Sequence, residues 1–379
     1  MSVFVAGATG VLGRPAVRAL VEAGHEVRGT ARGDEKAALL RSLGAEPVAV
    51  DLFDAEAVKA AVAGSEAVVN FATKIPPIMR MRWKGAWKEN DRLRTEGSSV
   101  LVDAALATGA AAYVQESITF IYGDGGDEWL TEDSPLSITW VSLQSMVNGE
   151  RETERFSAGG GRGISLRFSG FYAPYAKSTL DTIGMARRRL FPIPGDGSNF
   201  FSSIHVDDAA VAAIAALDAP AGAYNVTDDE PLRMRDYARA ITDSFGLKPP
   251  RRVPKWLFRL MGGGPAKYIL SSQRVSNERF KKGPAGRPNT RARAKAGSRS
   301  WRNWANGRRG AAYRCLYAKY ASNSAGSNGG DVADTKTSGS SLVFLIACAA
   351  PGGMKTSVPS LTSCIFPPTC MTPRPRTIT

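Results

Sequence analysis

The chain has 379 residues, 43% of them hydrophobic and 22% charged, which is typical of a globular protein and excludes disorder along the whole length. A formal net charge of +14 would favour nucleic acid or an acidic membrane as partner, but residues 283–379 hold 14 Lys and Arg against two acidic residues. The first 282 residues are therefore close to neutral, which argues against nucleic acid as their partner.

Cysteine, histidine and hydropathy patterns limit the chemistry further. All four cysteines follow residue 282, and His25 and His205 are the two histidines of the chain, so we expect neither a disulfide nor a metal site in the first 282 residues. The N-terminus lacks a basic and apolar leader, and the most apolar stretch, residues 341–350, is about half of the roughly 20 residues that a spanning helix needs. We predict no membrane span and a cytoplasmic location.

Short apolar runs alternate with helical patterns from residue 3 to about residue 168. The runs are VFVAG, HEVRGTAR, EPVAVDL, EAVVNFAT, AAYVQESI and GISLRFSGF. Strands that alternate with helices predict an α/β fold, in which right-handed crossovers build a Rossmann-type doubly wound parallel sheet.

The alternation loosens after about residue 170, where loops, a short strand AYNVT and isolated helices follow. This pattern predicts a small C-terminal substrate-binding lid. We therefore divide the chain into a Rossmann domain at 1–168, a substrate-binding portion at 169–282, in which helices of the Rossmann core can return, and a tail at 283–379.

A glycine-rich turn joins the first strand to the first helix. Gly7 permits a tight turn, Gly10 lets backbone approach a phosphate, and Gly13 lets the helix pack on the strand. The helix N-terminus favours an anion, so the turn predicts a site for the pyrophosphate of a nicotinamide cofactor. The other loop residues expected at the cofactor are Thr9, Val11 and Leu12.

The end of the second strand indicates which nicotinamide cofactor is bound. NAD-binding folds usually have an acidic residue there for the ribose 2′-hydroxyl, whereas NADP needs a cation for the 2′-phosphate. Here the strand ends in Arg32, and no acidic residue precedes Asp34. The sequence favours NADP, with NAD as the alternative.

Six motifs follow one another in the order seen in a known family. They are GATGVLG at 7–13, VDL at 50–52, NFAT at 70–73, IYG at 121–123, LRF at 166–168 and HVDD at 205–208. Residues 1–282 thereby resemble the extended short-chain dehydrogenases/reductases, in the NAD-dependent epimerase/dehydratase branch.

The resemblance implies further site residues and partners. Asp51 and Leu52 would flank the adenine, and Phe71, Ala72 and Thr73 would line the cofactor near the ribose and nicotinamide. It also implies a small-molecule substrate and a homodimer formed by the helices around 95–107 and 142–156.

The catalytic Tyr-x-x-x-Lys pair of that family is missing. In the family the lysine lowers the pKa of the tyrosine, which then takes a proton from a substrate hydroxyl. Here Met146 stands in the tyrosine position and Glu150 in the lysine position. The remaining candidates for catalysis are Ser117, Thr119 and Tyr122.

Two functions are compatible with these observations. The first is an oxidoreductase or epimerase/dehydratase-like enzyme for a small carbonyl, hydroxyl or nucleotide-sugar substrate. The second is a catalytically silent NADP-binding regulator or sensor, which the missing pair favours.

Residues 283–379 differ from the rest of the chain in charge, in cysteine content and in lacking a regular pattern. Translating GC-rich codons for residues 283–297 two bases out of frame gives PGWAPEYPSAREGW, which resembles the closing segment of the family. We therefore expect a frameshift near codon 283, which resequencing of the gene tests; a basic, disordered nucleic-acid-binding tail is the alternative.

Overall fold

The structure is a computed structural model and describes residues 1–77 and 80–283. The strands are β1 (Ser2–Ala6), β2 (Glu26–Thr30), β3 (Glu46–Val48), β4 (Ala67–Asn70), β5 (Ala112–Ile118), β6 (Trp129–Leu130), β7 (Arg162–Phe168), β8 (Gly170–Tyr172), β9 (Ile193–Pro194), β10 (Phe200–Phe201), β11 (Ser203–His205), β12 (Gly222–Val226), β13 (Leu232–Arg233), β14 (Arg252–Val253) and β15 (Arg274–Val275). The helices are α1 (Gly13–Glu22), α2 (Asp34–Ser42), α3 (Ala55–Val62), α4 (Lys88–Arg92), α5 (Ser98–Ala107), α6 (Gln144–Ala158), α7 (Lys177–Arg187), α8 (Val206–Ala216), α9 (Met234–Ser244), α10 (Lys255–Gly262), α11 (Ala266–Leu270) and α12 (Glu278–Lys282).

Seven strands form one parallel sheet in the order β12-β7-β5-β4-β1-β2-β3. The predicted α/β, Rossmann-type doubly wound sheet is thus confirmed. The chain leaves β1 toward β2 on one side and returns to β4 on the other, so the carboxyl ends of β1 and β4 flank the crevice in which such sheets bind ligands.

Alternate residues of β1 belong to different hydrophobic layers. Val3 and Val5 pack in the layer that contains α1 and α8. Phe4 and Ala6 pack in the layer that contains α3 and α5. Because successive side chains of a strand point to opposite faces, helices cover the sheet on both sides, and the run is apolar throughout.

The sheet does not end with the strand that finishes at Phe168. Strand β12 pairs with β7 as the seventh strand, with Tyr224 opposite Leu166, and α8 belongs to the same hydrophobic layer as α1. The sequence pattern places this AYNVT strand in the lid, because a five-residue strand after an irregular segment gives no sign of the sheet that it joins. The boundary at 168 therefore remains a prediction.

Outside the sheet, α7 and α9 form a smaller hydrophobic cluster over the carboxyl ends of the strands. Its buried members include Tyr172, Ile183 and Ile241.

The predicted tail, residues 283–379, lies outside the described residues apart from Gly283, and its assignment stays a prediction. No helix of the described part is long and apolar enough to cross a membrane.

Candidate cofactor and active site

The glycine-rich loop between β1 and α1 has no room for side chains at two of its glycines. Gly7 has φ +76°, and a Cβ on it would lie 2.5 Å from the carbonyl carbon of Phe71. A Cβ on Gly13 would lie 2.1 Å from the carbonyl oxygen of Gly7. The turn is therefore pressed against the end of β4 on one side and against α1 on the other.

The end of β2 holds the loop and supplies two cations. Thr30 Oγ1 accepts a hydrogen bond from the Gly7 amide, with the two atoms 2.8 Å apart. Arg32 follows the strand, and Lys36 lies in the first turn of α2; both are exposed. Two positive side chains therefore stand beside the cavity at the edge where an adenosine ribose would lie.

The end of β4 is fixed from below by a buried amide. Asn70 Nδ2 donates to Gln115 Oε1 over 3.0 Å and to Ser98 Oγ over 3.1 Å, and Asn70 Oδ1 accepts from the Ala72 amide over 3.0 Å. These contacts hold the backbone of Phe71 and Ala72 at the carboxyl edge of the sheet. Asn70 is thus a positioning residue for the wall that Phe71, Ala72 and Thr73 provide.

A cavity of about 750 Å³ opens at this edge. Eleven of the twelve residues predicted to contact the cofactor line it, namely Gly7, Thr9, Gly10, Val11, Leu12, Arg32, Asp51, Leu52, Phe71, Ala72 and Thr73. The twelfth, Gly13, begins α1 directly behind the loop. The remaining walls include Lys36, Lys74, Met81, Glu116, Phe171 and Lys177.

These residues fit a dinucleotide. Helix α1 has no acidic residue in its first turn and no side chain that caps its N-terminus, so a phosphate can approach the positive end of the helix dipole. Because Gly7 and Gly13 have no Cβ atoms, a phosphate can come close enough to contact the backbone of the loop. When a nicotinamide dinucleotide is bound, it supplies or accepts hydride.

One buried carboxylate lines the cavity at the end of β5. Glu116 is 5% exposed and receives a hydrogen bond from Arg94 Nη2, 2.6 Å from Glu116 Oε2. Burial raises the pKa of the Glu116 carboxyl, and the Arg94 guanidinium opposes that rise. Arg94 reaches inward from a π-helical turn, Leu93–Gly97, between α4 and α5.

The helix that carries the catalytic pair in the family is present, but its side chains differ. On α6, Met146 is 3% exposed and packs with Ile121 and Leu143. One helical turn later, Glu150 forms two hydrogen bonds with Arg167, of 2.7 and 2.9 Å. Neither Met146 nor Glu150 is among the described residues that line the cavity.

The three hydroxyl candidates are buried and are not among the described residues that line the cavity. Ser117 donates to Glu150 over 2.6 Å, and Thr119 donates to Ser169 over 3.4 Å. The Tyr122 hydroxyl accepts from Arg167 over 2.8 Å and donates to Asn225 over 2.7 Å. Burial raises the pKa of Tyr122 to about 12, against the opposing effect of Arg167. Their catalytic roles stay predictions. In this structure their hydrogen bonds go to other residues of the chain that lie outside the cavity lining.

Sequence reasoning missed Lys36 and Glu116 as residues of the cavity. Lys36 lies four residues after Arg32, and Glu116 is the charged residue of the strand AYVQESI, so both left a detectable signal. Arg94 left none, because its inward direction depends on the π-helical turn.

The parallel sheet, the glycine loop and the cavity at the switch point define a dinucleotide-binding protein of the Rossmann type. The chain belongs to the NAD-dependent epimerase/dehydratase family, whose family model matches residues 3–227. The predicted resemblance to extended short-chain dehydrogenases/reductases is thereby confirmed.

Two curated relatives are reductases. The chain is 35% identical over 292 residues to a 3-diazoavenalumate denitrifying reductase of a Streptomyces species, which covers 74% of this chain and 93% of the relative. It is 26% identical over 283 residues to a 2-alkyl-3-oxoalkanoate reductase of Shewanella oneidensis, with 68% and 70% covered.

Solved structures share the fold. A dTDP-glucose 4,6-dehydratase of Streptomyces venezuelae, crystallised with NAD, aligns with a TM-score of 0.63 at 20% identity and covers 79% of this chain and 98% of its own. A UDP-glucose 4-epimerase of Thermus thermophilus, in complex with NAD, aligns with a TM-score of 0.59 at 21% identity, with 76% and 94% covered.

Proposed function

We propose that the chain is an NADP(H)-dependent reductase that transfers hydride to a small, non-nucleotide acceptor. The observation that carries the proposal is the combination of a cavity lined by the glycine loop, Arg32 and the end of β4 with Met146 and Glu150 at the positions of the catalytic pair. A methionine takes no proton, and Glu150 is engaged with Arg167. An epimerase or dehydratase cycle that begins with proton abstraction from a sugar hydroxyl therefore lacks its usual base.

Reduction of an electron-poor acceptor does not begin with that abstraction. A diazo arene or a ketone accepts hydride directly, and a proton is then needed for the product. The 35% identical relative is named as a reductase of a diazo compound, and the 26% identical relative as a reductase of a 3-oxoacid. We propose these two classes of acceptor, diazo aromatic acids and 3-oxoacids, as substrates.

The proposal is tested with the purified full chain and three acceptors: a diazo aromatic acid, a 3-oxoalkanoate and dTDP-glucose. We expect NADPH absorbance to fall with at least one of the first two, and dinitrogen to be released from the diazo acid. No reaction is expected with dTDP-glucose. Turnover of dTDP-glucose alone would contradict the proposal.

A preference for NADP over NAD is part of the proposal and is supported by Arg32 and Lys36. We expect the double variant Arg32→Ala/Lys36→Ala to bind NADPH about 10²- to 10⁴-fold more weakly, because it removes two charge-assisted hydrogen bonds that contribute about 1.5–3 kcal/mol each. Binding of NADH should hardly change. Fluorescence titration measures both affinities.

Lys59→Ala is the matched control for this prediction, since it removes an exposed cation on α3 away from the cavity. Equal weakening of NADH and NADPH binding by the double variant would show that Arg32 and Lys36 do not bind the 2′-phosphate selectively.

The second candidate function is a silent NADP-binding regulator, which Met146 and Glu150 also favour. The same titration and acceptor panel separate the two functions. Tight NADPH binding without turnover of any acceptor supports the regulator, and absence of binding of either cofactor contradicts both.

We further propose a cytoplasmic homodimer. The cysteine-free first 282 residues suit a reducing compartment. The helices around 95–107 and 142–156 are the proposed contact, and light scattering after size-exclusion chromatography gives the oligomeric state.

A further inference from the structure

Glu116 is the acidic residue of β5 and lies beside the wall that Phe71 provides. Gln115 pairs with Asn70 across β5 and β4, so Glu116 and Phe71 follow a matched pair on adjacent parallel strands. Neighbouring strands lie about 4.8 Å apart, and both residues line the cavity. Glu116 therefore stands at the same edge as the segment expected near the nicotinamide.

The two carboxylate oxygens of Glu116 have different surroundings. Oε2 accepts from Arg94 Nη2, and Arg94 Nη1 also donates to the Glu116 carbonyl oxygen over 3.0 Å. Oε1 accepts no hydrogen bond from the residues that the structure describes. Arg94 thus fixes the side chain through one oxygen and leaves the other available to a molecule in the cavity.

Other charged side chains at this part of the cavity are engaged with one another. Lys74 pairs with Glu89 at 2.5 Å, and Lys177 pairs with Asp181 at 2.8 Å. Arg94 is the charged group that faces Glu116 directly. Burial raises the pKa of the Glu116 carboxyl and Arg94 lowers it, so the two influences oppose each other.

We propose that Glu116 is the catalytic acid of this site and gives its proton from Oε1 to the hydride acceptor. The inference rests on the proposed reductase function and names the residue that replaces the tyrosine. A ketone gains a hydride at carbon and this proton at oxygen, and leaves as the alcohol. The acceptor is reduced by two electrons and the nicotinamide cofactor is oxidised. The Glu116 carboxylate then takes up one proton from bulk solution, so each turnover consumes one proton.

Reduction of a quinone-type diazo arene also consumes one hydride and one proton. Its ring carbon gains the hydride and loses the carbon–nitrogen bond, whose electrons leave with dinitrogen, while its oxygen takes the proton to become a phenol. Hydride and proton are consumed once each in both reactions. One acid in the cavity therefore serves both classes of acceptor.

The kinetic test compares Glu116→Gln with the unaltered full chain. We expect kcat to fall about 10²-fold or more, which is the range that general acid catalysis contributes, with the Kd for NADPH unchanged. In the unaltered chain kcat should fall as pH rises and Glu116 loses its proton, and this pH dependence should vanish in the variant. Glu116→Asp should restore part of kcat and the pH dependence.

Glu22→Gln removes an equal charge from an exposed position at the end of α1 and serves as the control. If Glu116→Gln leaves Arg94 without a partner and unfolds the chain, Arg94→Met/Glu116→Gln removes both charges and takes its place. A variant that keeps kcat and its pH dependence would overturn the inference, while turnover by the unaltered chain would still support the reductase.

A measurement that needs no turnover completes the test. Infrared difference spectra of the chain without substrate should show a carboxylic-acid band that titrates above the usual range of glutamate, and Glu116→Gln should lack this band. A Glu116 carboxylate that stays ionised throughout the acidic range would overturn the inference, whatever the acceptor panel gives.

Discussion

Glu150→Met is expected to lower the free energy of unfolding by about 3–5 kcal/mol, because it leaves the Arg167 guanidinium buried without its carboxylate. The two side chains are 9% and 7% exposed, and their closest atoms are 2.7 Å apart. Urea unfolding followed by circular dichroism gives the change. Arg167→Met should lower the free energy of unfolding by a similar amount, since it leaves the Glu150 carboxylate buried without its cation.

The double variant Glu150→Met/Arg167→Met separates an ion pair from simple packing. Replacing both charges by apolar groups is expected to cost much less than the sum of the two single changes, with the loss of the acceptor for Ser117 and of the donor to Tyr122 as the remaining penalties. Additive costs would contradict a coupled pair. Glu96→Gln, in the exposed pair with Arg92, should change stability little.

The buried pair also predicts what happens when the family's lysine is restored. Glu150→Lys would bring a second cation next to Arg167 in a buried environment, so we expect it to be more destabilising than Glu150→Met. Adding Met146→Tyr should not rescue it. A stable Met146→Tyr/Glu150→Lys variant would mean that α6 tolerates the standard pair and that Arg167 moves away.

Gly7→Ala is expected to cost about 2–5 kcal/mol of stability and to weaken cofactor binding at least about tenfold. A left-handed backbone costs a non-glycine residue about 1–2 kcal/mol, and overpacking adds about 1–3 kcal/mol. The added Cβ would lie 2.5 Å from the Phe71 carbonyl carbon and 2.7 Å from the Ala72 amide nitrogen, so the cofactor wall must shift. Thermal unfolding and NADPH fluorescence give the two effects.

Gly64→Ala is a closely matched control, because Gly64 has φ +77° and no atom within 4 Å of an added Cβ. It carries the backbone cost alone and should leave NADPH affinity unchanged. If both variants lose the same stability and keep the same affinity, the close contact between the loop and Phe71 has no role in binding.

Much of the candidate cofactor site could be predicted because it follows strand ends. Glycine spacing and strand order are local signals, so Gly7, Arg32 and Asp51 were found without any knowledge of packing. The carboxyl ends of β1, β2 and β4 meet at one edge, which brings these separate signals into one cavity. Strand β12 was assigned to the lid instead, because its pairing with β7 spans more than fifty residues of chain.

The catalytic side of the site was harder to predict. Hydroxyl groups near a motif look alike in sequence whether they face a cavity or a buried network, and Tyr122 contacts Arg167 and Asn225, which lie on two other strands. Glu116 is visible in the sequence as the charged residue of strand β5, but its significance depends on its contact with Arg94. Arg94 reaches Glu116 because of the geometry of the π-helical turn, which the spacing of residues in the sequence does not reveal.

The π-helical turn Leu93–Gly97 lies between α4 and α5 and determines which way the side chains of α4 face relative to those of α5. A regular α-helix turns by about 100° per residue, so a helix one residue shorter would rotate everything before the turn by about that angle. Helix α5 would keep Leu101 in the core, while Arg94 would leave Glu116 and Asn90 would leave the Lys74 amide that it accepts from. Loss of one codon here would therefore rotate α4, including Glu89, relative to the rest of the cavity, and insertions and deletions should be tolerated far less in this helix than on the protein surface.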